Sequence, residues 1–213
     1  MSNFLETEVE YKGMTINVFA DDDVESPADW GNEDVCFWNR EINVKNKHIT
    51  KEIFGAYIKA SDFMEYKAEA KAVNKEFHIF PVDAYIHSGI SLSLHGEGMQ
   101  CKWDSSSYVG CIIVARSEAR TIKQAEKIAR GILETWNDYL QGNVYRYVCV
   151  DPQTGETIGS CSGFYGYNHE ESGLLDNARE EIDVYLKDGR EEGVRAKIAK
   201  LRKEADSLEL SLL

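Results

Sequence analysis

Apolar and polar residues alternate in several short runs near the start of the chain, and this period of two predicts β-strands. Residues 6–20 alternate on both sides of Lys12-Gly13, a pair typical of a tight turn, and therefore predict a β-hairpin. Short strands are also expected at Val35–Trp38 and around Ile42 and Val44. The first quarter of the chain thus predicts small antiparallel pairs, joined by the loop 21–34.

The middle of the chain changes between helical and strand patterns. Thr50 and Ser61 are typical N-cap residues, and they predict two helices that end near residues 60 and 74. The strands expected after them are 78–86, Ile90–Leu94 and 109–115. The last of these contains VGCIIVA, a continuous apolar run that predicts a central strand buried on both faces.

The clearest helix is expected over residues 121–141. Thr121 and Gln124 have the spacing of a capping box, and Gly142 is a typical residue just after a helix end. Apolar residues recur at steps of three and four along the segment. They are Ile122, Ala125, Ala129, Ile132, Trp136 and Leu140. The segment is therefore predicted to lay one apolar face on a sheet.

The C-terminal third predicts a hairpin over 144–165, then two helices, 174–186 and 190–212. The second helix carries apolar residues at alternating steps of four and three, a heptad pattern. They are Val194, Ile198, Leu201, Ala205, Leu208 and Leu212. The first helix is acidic and the second locally basic, which favours an antiparallel pair within the chain. A homodimer through residues 190–212 is the alternative.

These elements predict an α+β fold with a mostly antiparallel sheet, a long amphipathic helix packed on one side, and a C-terminal helical pair. We expect a core domain over residues 1–167, with an acidic N-terminal segment, and a helical pair over residues 168–213. No apolar run approaches the roughly 20 residues of a membrane-spanning helix. The N-terminus is acidic and lacks an apolar core, so a signal peptide is not expected.

The net charge of -13 disfavours direct binding to nucleic acid, because a phosphate backbone would be repelled. Negative residues are concentrated in two segments, 21–34 and 176–183. A face of this kind could bind a basic, nucleic-acid-processing protein, although solubility is the simpler explanation. The candidate partner-binding residues are Asp21, Asp22, Asp23, Glu25, Asp29, Trp30, Glu33, Asp34, Asp176, Glu180, Glu181 and Asp183.

Three aromatic residues, Trp30, Phe37 and Trp38, lie in or beside the first acidic segment. Exposed aromatic rings within an acidic rim would be apolar anchors for a protein partner. The alternative, which the pattern favours, is that these rings fill the core.

The five cysteines, Cys36, Cys101, Cys111, Cys149 and Cys161, are scattered and mostly lie in strand-like runs. An odd number of scattered cysteines suggests reduced, buried thiols in a cytosolic protein. None forms a C-x-x-C pair, and the histidines lack H-x-H or H-x-x-x-H spacing. We therefore predict no metal site and no cofactor.

Residues 81–116 hold the densest group of chemically reactive side chains. His87, Asp104 and Ser105 suggest a Ser/His/Asp hydrolase, in which the carboxylate orients the base and the base activates the hydroxyl. The G-x-S-x-G turn that would raise a serine above a sheet is absent. The alternative is that His87 and Asp104 bond to each other and fasten two strands.

Five motifs in residues 81–166 occur together. They are Y-x-H-S-G-I at 85–90, C-x-W-D-S at 101–105, Gly110 before an apolar strand, G-N-V-Y-x-Y at 142–147 and S-C-x-G-F-Y-G at 160–166. This set resembles a family of uncharacterised phage and prophage proteins. Members of that family often have W-D-S-G where residues 103–106 of this chain read W-D-S-S, so Ser106 stands at the position of the glycine. Any role of that glycine in a tight turn is therefore in doubt here.

The resemblance implies an accessory protein of a phage or mobile element, present in the host cytoplasm. Such proteins often bind and block a host defence enzyme, as antirestriction and anti-CRISPR proteins do. Together with the charge, the resemblance favours an acidic inhibitor that acts by binding. A small hydrolase or nucleotide-acting enzyme using His87, Asp104 and Ser105 is the alternative.

Overall fold

The computed structural model describes residues 5–30, 34–58, 67–98, 101 and 103–210. Contacts divide the chain into two compact units, Met1–Asp22 with Val144–Leu213, and Asp23–Asn143. We call these the terminal unit and the central unit. Each has an antiparallel sheet and at least one helix, which confirms the predicted α+β class. The predicted domain boundary after residue 167 stays a prediction.

Up to the C-terminal segment, the strands and α-helices follow the predicted order. The strands are β1 Leu5–Tyr11, β2 Met14–Ala20, β3 Val35–Trp38, β4 Asn43–Val44, β5 Phe77–Ile86, β6 Ile90–Leu94, β7 Ser105–Ala115, β8 Val144–Val150 and β9 Thr157–Tyr165. The α-helices are α1 Lys51–Ile58, α2 Lys67–Glu76, α3 Ile122–Gln141 and α4 Leu174–Leu210. The second predicted N-cap, Ser61, lies outside the described residues.

The terminal unit is a four-stranded sheet with the order β1-β2-β8-β9 and one helix. Both predicted hairpins are confirmed, since β1 pairs with β2 and β8 pairs with β9. Lys12 and Gly13 both have positive φ, as a two-residue hairpin turn that follows the strand twist requires. The buried face of β2 and β8 packs against the first half of α4. This core contains Ile16, Val18, Tyr145, Tyr147, Cys149, Leu174, Leu175, Ala178 and Ile182.

The C-terminal segment is one continuous helix, α4, and not the predicted pair. The prediction ended the first helix before Gly189, but glycine within a helix costs only about 1 kcal/mol. The neighbouring glutamates, lysines and arginines favour helix strongly enough to continue through Gly189 and Gly193. The proposed antiparallel pairing of 174–186 with 190–212 within one chain is therefore wrong, because both stretches belong to the same helix.

The central unit is built on a five-stranded sheet with the order β4-β3-β7-β5-β6. Strand β7 lies in its middle, and residues 109–114 of this strand are all buried. This confirms the central strand that the continuous apolar run predicted. Alternate residues of β7 enter two different clusters, with Ile112 and Val114 in one and Cys111 and Ile113 in the other. Since alternate side chains point to opposite faces, both faces of the sheet are covered.

Helix α3 covers one face of this sheet. Its N-terminus has the predicted capping box of Thr121 and Gln124, and it ends at Gly142, whose φ is 74°. Trp136 is buried at the centre of the contact, and its ring meets Phe37 edge-on at a centroid distance of 5.3 Å. The amphipathic pattern therefore predicted both the helix and its packing.

The other face carries a smaller core around Phe54 of α1 and Ile49. The predicted cap at Thr50 is confirmed, since its hydroxyl accepts from the backbone N–H of Ile53 at 3.3 Å.

Among the described residues, no helix combines the length and the apolar character needed to cross a bilayer.

Candidate functional site

The predicted His87, Asp104 and Ser105 lie near one end of β5, β6 and β7. The backbone N–H of Ile86 donates to the carbonyl of Asp104 at 2.7 Å, which brings the end of β5 against the start of β7. The His87 N–H donates to the carbonyl of Gly89 at 3.1 Å within the β5–β6 turn. Main-chain bonds therefore bring His87 and Asp104 together.

His87 Nδ1 lies 3.4 Å from Asp104 Oδ2, and the imidazole is largely exposed. Cys101 Sγ donates to the same carboxylate oxygen, also at 3.4 Å. The Ser105 hydroxyl is used differently, because its Oγ accepts from the backbone N–H of Cys101 at 2.7 Å. Ser105 N–H returns a bond to the Cys101 carbonyl at 3.0 Å, and together these bonds close a turn.

Two depressions border this end of the sheet. An open groove of about 510 Å³ is lined by His87, Tyr85 and Leu140 among others. A more enclosed cavity of about 120 Å³ is lined by Ser105, Asp83 and neighbouring serines. His87 and Ser105 therefore line different spaces. The proximity of His87 and Asp104 fits both earlier interpretations, whereas the position of the Ser105 hydroxyl favours a structural role.

A second polar network was not predicted. Strand pairing between β5 and β7 is regular at Val82–Gly110 and resumes at Ala84–Ser106. Between these pairs β5 has one residue, Asp83, whereas β7 has three, residues 107–109. The extra residues form a bulge, and the middle one, Tyr108, has a φ of 56°.

The Asp83 carboxylate lies inside this bulge and is only 4% exposed. It accepts from the backbone N–H of Tyr108 at 2.9 Å and from that of Gly96 at 3.1 Å. His95 Nδ1 lies 2.9 Å from its Oδ2, and His95 Nε2 lies 2.8 Å from the Tyr108 hydroxyl. A carboxylate, an imidazole and a phenol thus form one hydrogen-bonded chain.

Burial opposes the charge on Asp83, but the hydrogen bonds from His95 and from the Tyr108 and Gly96 N–H groups outweigh it and lower the pKa of the carboxyl. Neither His95 nor Asp83 nor Tyr108 was among the predicted site residues. The extra residues of the bulge interrupt the alternation along the strand, so periodicity could not reveal that Asp83 lies beside Tyr108.

The acidic segment of the central unit forms a short 3₁₀ helix, Pro27–Trp30, in a loop that is anchored to the core. Pro27 is buried, and Ala28 packs against the main cluster. Ser26 stabilises the turn, because its carbonyl accepts from the Asp29 N–H at 2.8 Å. As a result Asp29 is exposed, and so is 49% of Trp30.

Most of the other predicted partner-binding residues of this segment are accessible. Asp22, Asp23 and Glu25 are exposed, and Asp21 and Asp34 are half-buried. Glu33 lies outside the described residues. Of the three aromatic rings, Phe37 is buried and Trp38 half-buried, so only Trp30 meets the expectation of an exposed anchor.

The acidic residues of α4 are partly neutralised by the chain itself. Lys12 Nζ lies 2.6 Å from Asp183 Oδ1, and Arg179 pairs with Asp176 at 3.3 Å. Glu181 is half-buried and packs directly on Gly159, whereas Glu180 is exposed. These contacts weaken the helical part of the predicted acidic surface.

The cysteines are all free, and three of them are buried. Burial raises the pKa of the Cys36 and Cys111 thiols, and raises the pKa of Cys149 to about 12. Such thiols are protonated and unreactive at neutral pH. Among the described residues, no group of three or more histidine, cysteine or acidic side chains is arranged to hold a metal ion.

The second half of α4 is exposed from residue 187 to residue 203. Within it Val194, Ile198 and Leu201 keep the predicted heptad spacing and are exposed apolar side chains.

Comparison with known proteins adds no assignment, because no family model, curated protein or solved structure matches the chain. The resemblance to phage proteins stays a prediction that depends on the motifs alone.

Proposed function

We propose that the protein acts by binding a basic surface of a host nucleic-acid-processing enzyme, and that the loop 23–30 makes the central contact. The observation that carries the proposal is the anchored loop, which presents Trp30 beside exposed carboxylates. Buried Pro27 and packed Ala28 hold the loop in place, so little conformational entropy is lost when a partner binds.

The charge of the chain supports this kind of partner. A protein of net charge -13 repels phosphates and attracts the groove that normally holds them. Complementary charge would speed association and make it fall with salt, while a tryptophan such as Trp30 provides buried contact area. Asp23, Glu25 and Asp29 would form the acidic rim of this contact.

The motif resemblance supports a setting in which such binding is useful. A phage or prophage accessory protein in the host cytoplasm would meet restriction or CRISPR enzymes, whose nucleic-acid grooves are basic. We therefore propose an inhibitor of the antirestriction or anti-CRISPR type that occupies such a groove.

The test compares two triple charge reversals in an affinity capture from host lysate. One carries Asp23→Lys, Glu25→Lys and Asp29→Lys in the loop. The control carries Glu6→Lys, Glu8→Lys and Glu10→Lys on exposed positions of β1. Each changes the net charge from -13 to -7, since three reversals add six charges. Any difference between the variants therefore reflects position and not total charge.

We expect the wild-type protein to capture an enzyme that salt or added DNA releases. Only the loop variant should lose it, and Trp30→Ala should weaken capture without changing the net charge. The captured enzyme should also lose nucleic-acid binding when the protein is added. Equal loss in both triple variants, or capture that survives high salt undiminished, would contradict the proposal.

The second candidate is a small hydrolase, and the 3.4 Å approach of His87 to Asp104 favours it. The Ser105 hydroxyl accepts from the Cys101 N–H, so this candidate requires the same oxygen to give its own proton to His87 as it attacks. A folded His87→Ala protein that keeps its full biological effect would remove this candidate.

A homodimer through residues 190–212 is a further proposal about partners, supported by the exposed Val194, Ile198 and Leu201. Light scattering of the full chain and of a chain truncated after Gly189 would test it. A dimer that persists in the truncated chain would exclude this interface.

A further inference from the structure

The chain of hydrogen bonds from Asp83 through His95 to Tyr108 has the order of an acid–base relay. An ionised carboxylate can only accept, so His95 Nδ1 carries a hydrogen that it donates to Asp83. In a neutral imidazole the other nitrogen, Nε2, is then an acceptor. With the imidazole in this form, the Tyr108 hydroxyl, whose oxygen lies 2.8 Å from Nε2, donates to it. The phenol proton is therefore directed at Nε2 of His95, and the hydrogen bond from Nδ1 to Asp83 fixes the orientation of the imidazole ring.

The backbone of Tyr108 provides a second observation. Its φ of 56° lies in the left-handed region, where glycine and asparagine are better accommodated than a residue with a bulky ring. The carboxylate of Asp83 holds the Tyr108 N–H at 2.9 Å, and the ring stacks on His95 with centroids 4.2 Å apart. Strained backbone that is fixed by its surroundings is found preferentially at functional sites.

The tyrosine of the network is partly exposed to solvent, whereas the aspartate is buried. Tyr108 is 37% exposed, and Asp83 is 4% exposed. A molecule in solution can therefore reach Tyr108, while Asp83 can act only through His95. This separation of a reacting end from a buried orienting end is expected of a site that performs chemistry, in addition to fastening a bulge.

We infer that Tyr108 is a nucleophile toward electrophilic acyl groups such as ester carbonyls, with His95 as its base and Asp83 as the positioning residue. The Tyr108 Oη–acyl bond forms and the ester C–O bond breaks. His95 Nε2 takes the phenol proton and returns it to the departing alkoxide. Water then cleaves the acyl-tyrosine, releases the carboxylic acid and restores the hydroxyl.

If His95 activates Tyr108, Tyr108 should react faster than a more exposed tyrosine, whereas exposure alone predicts the opposite order. Tyr167 is 70% exposed, almost twice as much as Tyr108. At neutral pH a free phenol, with a pKa of about 10, is almost entirely protonated and reacts slowly. An aryl sulfonyl fluoride probe forms an O–S bond with a tyrosine and expels fluoride, and mass spectrometry gives the rate at each position. A relay predicts faster labelling of Tyr108, whereas exposure alone predicts faster labelling of Tyr167.

We expect Tyr108 to be labelled at least about tenfold faster than Tyr167 at pH 7, since general-base assistance contributes on the order of 100-fold or more. His95→Gln should remove this advantage, whereas His48→Gln, a histidine change elsewhere in the central unit, should keep it. An aryl acetate should give an acetyl adduct or turnover that Tyr108→Phe abolishes and Tyr167→Phe does not.

Two results would overturn the inference. The first is labelling of Tyr108 no faster than that of Tyr167 in the wild-type protein. The second is fast labelling that His95→Gln leaves unchanged in a protein with a wild-type circular dichroism spectrum. Asp83→Asn provides a separate readout, because an amide in place of the carboxylate should slow labelling while Tyr108 remains in place.

Discussion

The close approach of β3 to β7 at Gly110 gives the sharpest prediction about stability. A Cβ on Gly110 would overlap the Cys36 carbonyl oxygen and the Phe37 ring, and would lie 2.9 Å from the Phe37 Cα. Backbone atoms of a paired strand cannot turn aside as a side chain can. Gly110→Ala must therefore push β3 away from the centre of the sheet.

The cost of Gly110→Ala combines two effects. Overpacking of a core by one methyl group costs about 1–3 kcal/mol. Each weakened backbone hydrogen bond between β3 and β7 adds about 1 kcal/mol. We therefore expect a loss of at least about 3 kcal/mol, which is a large share of the roughly 5–15 kcal/mol of a typical domain.

Urea unfolding, followed by circular dichroism, measures this loss directly. Gly131→Ala is the matched control, because it is the same substitution within α3, where an added Cβ meets no atom within 4 Å among the described residues. It should raise the free energy of unfolding by about 0.5–1 kcal/mol. If Gly110→Ala is as stable as the wild type, the described packing of β3 on β7 is wrong.

The remaining predictions concern caps and one carboxyl group. Thr121→Ala removes the hydroxyl that accepts from Gln124 N–H, and should cost about 1 kcal/mol in thermal melts, whereas Thr121→Ser should restore most of it. Gly142→Ala should cost about 1 kcal/mol in urea because its φ is 74°, and Gly142→Asn should cost less; equal losses would contradict the left-handed cap. The pKa of Asp83 is lower in the folded than in the unfolded protein, so its stabilisation is present above the unfolded pKa of about 4 and is lost as pH falls through the lower folded value. The free energy of unfolding should therefore fall less steeply from neutral to acid pH in Asp83→Asn than in the wild type. Identical slopes would count against an ionised Asp83 in the relay.

Local patterns predicted most of the secondary structure. The capping box at Thr121, the turn at Lys12-Gly13 and the apolar run in β7 each depend on nearby residues, and each is confirmed. The arrangement of the strands in two separate sheets depends on contacts distant in sequence. Strand β2 pairs with β8, although more than 120 residues separate them. No single-sequence pattern contains that information.

The candidate sites show the same limit. His87 and Asp104 were found because both belong to conspicuous motifs near strand ends. Asp83 and Tyr108 were missed because a bulge brings them together, and the extra residues interrupt the alternation that would have placed them. The acidic residues of segment 21–34 predicted an acidic loop, but only the packing of the structure shows that Trp30 is exposed while Phe37 is buried.

Inhibition by binding requires the loop 23–30 to be the place where a basic partner binds. The most direct measurement is the dissociation constant of the captured partner for the wild type and both triple variants, between about 0.05 and 0.5 M salt. We predict that binding weakens with salt and that the loop reversals weaken it at least about tenfold more than the β1 reversals. Equal weakening by both variants, or binding that salt does not change, would contradict the proposal.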